Sequence, residues 1–131
     1  MKRMHLLLDT RVLLWAAGTP DRLSSKAIDL LQDPDNHLLF SAASMWEITI
    51  KRGLGRNDFR VEPAVLRRGL VENGYSELAI TSTHVMAVGH LPGIHKDPFD
   101  RVLVAQAMTE EVLLLTADDV VAKYPGPIRR I

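Results

Sequence analysis

Short apolar runs that stop abruptly limit most strongly how this chain can fold. Residues 4–8 (MHLLL), 37–40 (HLLF) and 112–115 (VLLL) are of strand length, and each reads as a buried strand. Residues 76–80 form a weaker strand candidate, and 128–131 an edge strand. Helical patterns fill the intervals. Residues 12–17 read as a short helix ended by Gly18-Thr19-Pro20, and Ser24 or Ser25 caps a helix running to about Gln32. Ser41 or Ser44 caps another to about Arg52, in which Ala43, Trp46, Ile50 and Leu54 fall on one helical stripe. Residues 63–73 read as a helix closed by Gly74, and 81–88 as a further one. Asp97 and Pro98 suit the cap and first position of a helix to about Glu110, apolar nearly all round and therefore buried. A short helix follows Asp118 and runs to Lys123. Strands alternating with helices predict an α/β fold of three layers, α/β/α, around a central parallel sheet of four to five strands.

Ligands of such sheets bind outside the carboxyl ends of the strands. Two runs end there in acids: Leu8 leads into Asp9, and Leu115 into Thr116-Ala117-Asp118. Glu47 lies one turn into the third helix and Asp100 one turn into the buried helix. Each has an ordinary reading. Asp9 and Asp118 can cap the helices that follow, Asp100 suits the helix dipole, and Glu47 can pair with Lys51 for about 0.3–0.5 kcal/mol. Their apolar setting argues for more. A carboxylate among such neighbours must be paired, protonated or metal-bound, because an isolated buried charge costs several kcal/mol. Converging carboxylates repel one another, a divalent cation relieves that repulsion, and an all-oxygen donor set suits Mg²⁺ or Mn²⁺ rather than zinc. Such a cation can activate water in line with a phosphodiester.

Composition sets the bounds. The 131 residues fit one domain, 1–131, and 47% hydrophobic with 24% charged residues is an ordinary globular balance, so a core can form without staples. With no cysteine, disulfides, thiolate chemistry and Cys-based zinc sites are excluded. No apolar run approaches the roughly 20 residues of a membrane helix, so no membrane partner is expected and the cytoplasm is the expected compartment. Sixteen basic residues balance sixteen acidic ones, so any polyanion must be drawn by local clustering rather than by overall charge. Lys51, Arg52, Arg56, Lys96 and Arg101 lie near the acidic blocks and are candidates for a positive rim. His90 and His95 stand five apart in a loop, a spacing that does not make a metal site, and Trp15 and Trp46 read as core or dimer contacts.

The blocks LLLDTRVLLWA (6–16), SAASMWEITIKRGLG (41–55), HKDPFDRVLVAQAM (95–108) and LLLTADD (113–119) resemble, in order, the signature blocks of PIN-domain ribonucleases, VapC-type toxins most closely. The resemblance covers nearly the whole chain. It implies that Asp9, Glu47, Asp100 and Asp118 hold Mg²⁺ or Mn²⁺, with Thr116 positioning the site through its hydroxyl. It implies hydrolysis of RNA, silencing by a cognate antitoxin bound over the active site, and a homodimer or a heteromer with that antitoxin. Asp97 is expected to serve chiefly as a helix cap. Arg11 stands where relatives commonly carry His or Ser; it can bind substrate phosphate or pair with an acidic ligand, and Lys51 and Arg101 are the further substrate-binding candidates. The alternatives are a receiver-like signalling domain, which would want an acidic pair after the first strand and a lysine after a late one, and a PIN-like module without nuclease activity.

Overall fold

The computed structural model describes residues 3–131. Five strands, β1 (His5–Leu8), β2 (His37–Ser41), β3 (Ser76–Leu78), β4 (Leu113–Thr116) and β5 (Ile128–Arg130), form one sheet in the order β3-β2-β1-β4-β5. Every pairing is parallel, with Leu7 opposite both Leu39 and Leu114. The helices are α1 (Thr10–Gly18), α2 (Ser25–Gln32), α3 (Ala42–Gly53), α4 (Pro63–Glu72), α5 (Ser82–Val88) and α6 (Pro98–Glu110). The turns Pro20–Arg22 and Val121–Lys123 are short 3₁₀ segments, the second replacing the short helix expected after Asp118.

Strand alternation explains why the apolar runs are continuous. Leu6, Leu8, Phe40 and Leu115 point to one face, where they pack with Val12 and Leu13 of α1, Ala27 of α2 and Leu66 and Leu70 of α4. Leu7, Leu39 and Leu114 point to the other and meet Leu103, Val104 and Ala107 of α6. A strand covered on both faces has no use for polar positions, which is why the sequence shows runs instead of alternation. Between α1, α2 and α4 an apolar cleft of about 620 Å³ remains, lined by residues such as Leu14, Leu31, Leu66 and Tyr75. It is larger than the polar cleft described below, and its lining is apolar apart from Asn73 and the Tyr75 phenol, whose pKa burial raises.

The caps sit where local chemistry asks for them. Ser24, Ser41 and Thr81 accept from backbone N–H groups at the starts of α2, α3 and α5, and Gly74 takes the positive φ of 87° that ends α4. The apolar stripe of α3 divides: Ala43 is buried, whereas Trp46, Ile50 and, just past the end of the helix, Leu54 face solvent, with Leu54 74% exposed. The buried face of α3 is Ala43, Ser44, Glu47 and Ile48, because the helix turns its acidic residue toward the carboxyl edge of the sheet. Trp46 therefore lies outside the core and stacks edge-to-face on Phe99, ring centres 4.9 Å apart.

No helix among the described residues is long and apolar enough to cross a membrane. Truncating Leu114, fully buried, to Ala should lower unfolding stability by about 2–5 kcal/mol, whereas Leu54→Ala should change it by less than about 0.5 kcal/mol. Denaturant midpoints of the two variants check this; equal losses would return the stripe of α3 to the core.

Candidate functional site

β1 and β4 are neighbours and end side by side, so the residues that follow them meet. The N–H of Asp9 still bonds to Leu115 O at 3.0 Å, extending the ladder by one residue. Asp9 caps α1: its Oδ1 accepts from Val12 N at 2.9 Å. Its Oδ2 accepts from Thr116 Oγ1 at 2.6 Å, and the same hydroxyl accepts from Asp118 N at 3.0 Å. Thr116 thus joins the two strand ends through one buried side chain. Thr10 adds a second tie, donating to Ser44 Oγ on α3 at 2.9 Å.

Around this junction opens a cleft of about 350 Å³. Its lining includes all four predicted carboxylates, Asp9, Glu47, Asp100 and Asp118, and Asp97 as well. Glu47 is buried, so its pair with Lys51, Nζ to Oε2 at 2.5 Å, is not the solvated surface pair that the spacing alone suggests. Its other oxygen, Oε1, is buried with no hydrogen-bond partner, the single such side-chain atom among the described residues. Asp118 uses Oδ1 to accept from Val120 N at 2.7 Å, leaving Oδ2 at 3.6 Å from His95 Nε2. Asp97 accepts from Phe99 N and Asp100 N with Oδ1, capping α6, while its Oδ2 lies 4.0 Å from Lys51 Nζ.

Charge crowding is written into the titration of two groups. Burial, the largest cause, raises the Asp9 carboxyl to about 6, with Glu47 adding repulsion; the hydrogen bonds from Thr116 and Val12 hold it lower than it would otherwise be. Asp100 is pushed further, to about 8, by burial first and then by Asp97, Asp9, Glu47 and Asp118. Asp9 is the more buried, yet Asp100 is the more perturbed, because four carboxylates face it and no backbone N–H does. These donors fit a divalent cation. They are oxygens, one of them is orphaned in a buried position, and their mutual repulsion is what a positive ion removes.

Other predicted residues are distributed differently. Arg11 lines the cleft but pairs with Asp58, Nη2 to Oδ2 at 3.3 Å, outside the acidic set. Asp58 is shared with Arg56, whose hydrogen bonds hold that carboxyl below its ordinary range. Lys51 lines the cleft with its ammonium 4.9 Å from the Phe59 ring centre. Arg52 turns to Glu62 and to the carbonyl of Arg60. Lys96 is exposed and outside the lining. Arg101 lies outside the lining, and its guanidinium donates to the carbonyls of Val88, Pro92 and His95 and to the Tyr124 hydroxyl. No such acceptors are visible in a sequence, because the end of α5, the loop after it and Tyr124 meet Arg101 only in the fold.

His95 is the residue that spacing missed. Its Nε2 lies 3.2 Å from Asp100 Oδ2, and with Asp118 these groups fall within 4.8 Å of one another. His90 has no part in that cluster, so the pair of histidines carried no signal; the signal was the adjacency of His95 to the block holding Asp97 and Asp100. Trp15 is half-buried and also lines the cleft.

The PIN domain family model matches residues 6–127. The chain belongs to the PIN-domain family. Among solved structures, it is similar to a chain of the VapBC2 complex from Rickettsia felis bound to a promoter DNA fragment, at 12% identity and a TM-score of 0.73 over 98% of this chain and 99% of that one. It is also similar to a chain of DNA-bound VapBC from Salmonella typhimurium, at 12% identity and a TM-score of 0.68 over 97% and 98% of the two chains. A toxin–antitoxin complex from Klebsiella pneumoniae gives 16% identity and a TM-score of 0.59 over 95% of each chain. A comparison with curated proteins gives no match. At these identities the likeness speaks for the PIN fold, and the three-layer sheet of five parallel strands agrees with it.

The raised Asp100 carboxyl makes metal-free stability depend on pH. Between about 4 and about 8 the folded protein keeps a proton on Asp100 that the unfolded chain has lost, so stability falls as pH rises through that window. Asp100→Asn removes the ionisation from both states. In EDTA its melting temperature should therefore rise relative to wild type between pH 5 and pH 8. A gap that stays constant or narrows across that range would mean that Asp100 is not crowded by its neighbours.

Proposed function

We propose that this PIN domain is a Mg²⁺- or Mn²⁺-dependent endoribonuclease and the toxin of a toxin–antitoxin pair. The observation that carries the reading is the acidic cleft at the carboxyl edge of the sheet, where Glu47 Oε1 is buried without a partner and four carboxylates crowd Asp100. Asp9, Glu47, Asp100 and Asp118 would hold the cation. When bound, it supplies the positive charge that lowers the pKa of an attacking water and stabilises charge on the phosphate oxygens. The chain supplies the rest. Thr116 keeps the Asp9 carboxylate turned by its short hydrogen bond. Lys51 neutralises Glu47, and with a cation held at the carboxylates its ammonium would be available to substrate phosphate.

Substrate class follows from charge and shape. Phe59 forms a wall between the acidic cleft and a second recess of about 420 Å³ lined by Arg52, Arg56 and Arg60. A flexible single strand could lay its scissile phosphate at the carboxylates and a neighbouring phosphate among these arginines. Several structural relatives are VapBC or toxin–antitoxin complexes, which supports a partner of the same kind here. That antitoxin would lay a C-terminal segment along the cleft, and the toxin would act in the cytoplasm as a homodimer or in a heteromer with it. A PIN-like module without catalysis is the other outcome of the test.

Purified protein should cut single-stranded or looped RNA with Mg²⁺ or Mn²⁺, leaving 5′-phosphate ends, and full cutting after exhaustive EDTA treatment would remove the metal from the reading. Asp100→Asn should lower both cation affinity and cutting by orders of magnitude. Asp97→Asn should leave cutting largely intact, since Asn can accept the same cap hydrogen bonds. A loss from Asp97→Asn alone would exchange the roles of the two aspartates. Growth inhibition by the expressed chain should be relieved by the product of a neighbouring gene; if none binds or relieves it, the toxin reading falls while the nuclease reading stands.

A further inference from the structure

His95, Asp100 and Asp118 present three ligand-type atoms close enough to surround one ion. The far nitrogen of the imidazole decides what His95 can do there. Nδ1 accepts the backbone N–H of Asp97 at 3.1 Å. An amide N–H only donates, so Nδ1 must present its lone pair to it. In a neutral imidazole the proton then sits on Nε2, the nitrogen that faces Asp100 Oδ2 at 3.2 Å and Asp118 Oδ2 at 3.6 Å. A protonated ring nitrogen has no lone pair for a metal, but it donates well to a carboxylate oxygen.

The ring is held in this orientation from behind. The Tyr124 hydroxyl, deep in the core, accepts from His95 N at 2.9 Å and donates to His95 O at 3.3 Å. Arg101 Nη1 donates to that hydroxyl at 3.0 Å and to His95 O at 3.3 Å, and Nη2 closes the loop on Val88 O at 3.0 Å. The opposite tautomer would set Nδ1–H against the Asp97 N–H, two donors face to face.

We propose that His95 is a positioning residue of the metal centre, fixed as the Nε2–H tautomer by the Asp97 amide and donating to Asp100 and Asp118 without ligating the ion. The proposal rests on the metal-dependent reading above. It makes the donor set oxygen alone, and it gives Arg101 a purpose: clamping the loop that carries the imidazole. Asp100 has no backbone donor of its own, so His95 supplies the hydrogen bond that turns its carboxylate. Hydrogen bonds of this kind orient ligands and tune the affinity of metal sites.

Histidine-labelled protein tests it by long-range proton–nitrogen correlation spectra, with His95→Gln identifying the His95 signals among the five histidines. Metal-free protein should show a bare Nδ1 and a protonated Nε2, and saturating Mg²⁺ should leave that pattern unchanged. Calorimetry with Mg²⁺ and with Zn²⁺ supplies the second readout. His95→Ala should weaken both ions by a similar factor, about 10–100-fold. His95→Gln, which offers an amide N–H near the place of Nε2, should recover most of the loss. A protonated Nδ1 in the metal-free protein, an Nε2 that loses its proton to the ion, or a loss confined to nitrogen-seeking Zn²⁺ would overturn the proposal and leave the metal reading intact. Absence of rescue by Gln at unchanged melting temperature would also overturn it. Wild-type protein that binds neither ion would overturn the metal reading itself, and this role with it.

Discussion

Crowding carboxylates into one cleft opposes folding, and the structure is arranged around containing that repulsion. Asp9, Glu47, Asp97, Asp100 and Asp118 come from four places in the chain and line the same 350 Å³. They stay because each is held by something local. Thr116 donates to Asp9, Lys51 meets Glu47, and His95 stands between Asp100 and Asp118. What these contacts leave over is stored as a proton on Asp100, which keeps that group neutral near pH 7. On the proposed reading the cleft exchanges a proton for a cation, so its affinity for one should grow as pH rises toward the Asp100 value.

Three of the aspartates resolve what looked like a choice between capping and chemistry. Asp9, Asp97 and Asp118 each give Oδ1 to a backbone N–H, at Val12, Phe99 and Val120 respectively. Each leaves Oδ2 for a side chain at the cleft: Thr116, Lys51 and His95. A carboxylate has two oxygens with several lone pairs, so one can fix its orientation while the other faces the site. The helix cap is therefore the device that fixes which carboxylate oxygen faces the cleft. Glu47 lies mid-helix, where every backbone N–H is engaged, and Asp100 lies in the first turn of α6, whose free N–H groups Asp97 already takes, so these two depend on Lys51 and His95 instead.

The same distinction explains what could be read from the sequence. Strand runs were legible because burial on both faces removes polar residues, and the acids at their ends were legible because the runs stop there. Ser76–Leu78, a short outer strand, gave only a weak pattern because it is incompletely buried. The direction of α3 was not legible. Its apolar stripe is real but mostly faces solvent, since the helix must turn Glu47 inward, and hydrophobic periodicity cannot see that requirement. The contacts of His95 and Arg101 were not legible for a related reason. Their roles depend on a loop pinned by Tyr124, whose hydroxyl lies 29 residues along the chain from His95, and no local spacing encodes such a contact. Thr10 and Ser44 were missed as a pair because two hydroxyls 34 residues apart carry no signal until the helices bring them together.

With a net charge of zero a polyanion must be drawn by local clustering, and the fold shows how little the sum constrains. The charges are clustered. Five carboxylates line the cleft on one side of Phe59, with Arg11 and Lys51 among them, and the arginines at 52, 56 and 60 line the recess on the other, with Arg56 also over the Phe59 ring at 5.4 Å. Asp58 holds Arg11 and Arg56 together at the lip of the acidic cleft. Fields from such neighbouring patches cancel at a distance and survive only within about 8 Å at physiological salt. On the proposed reading, a phosphate chain would feel little attraction in solution and a strong, oriented one at contact. Recognition would then depend on fitting the backbone between the two recesses, which favours a flexible single strand over a stiff duplex.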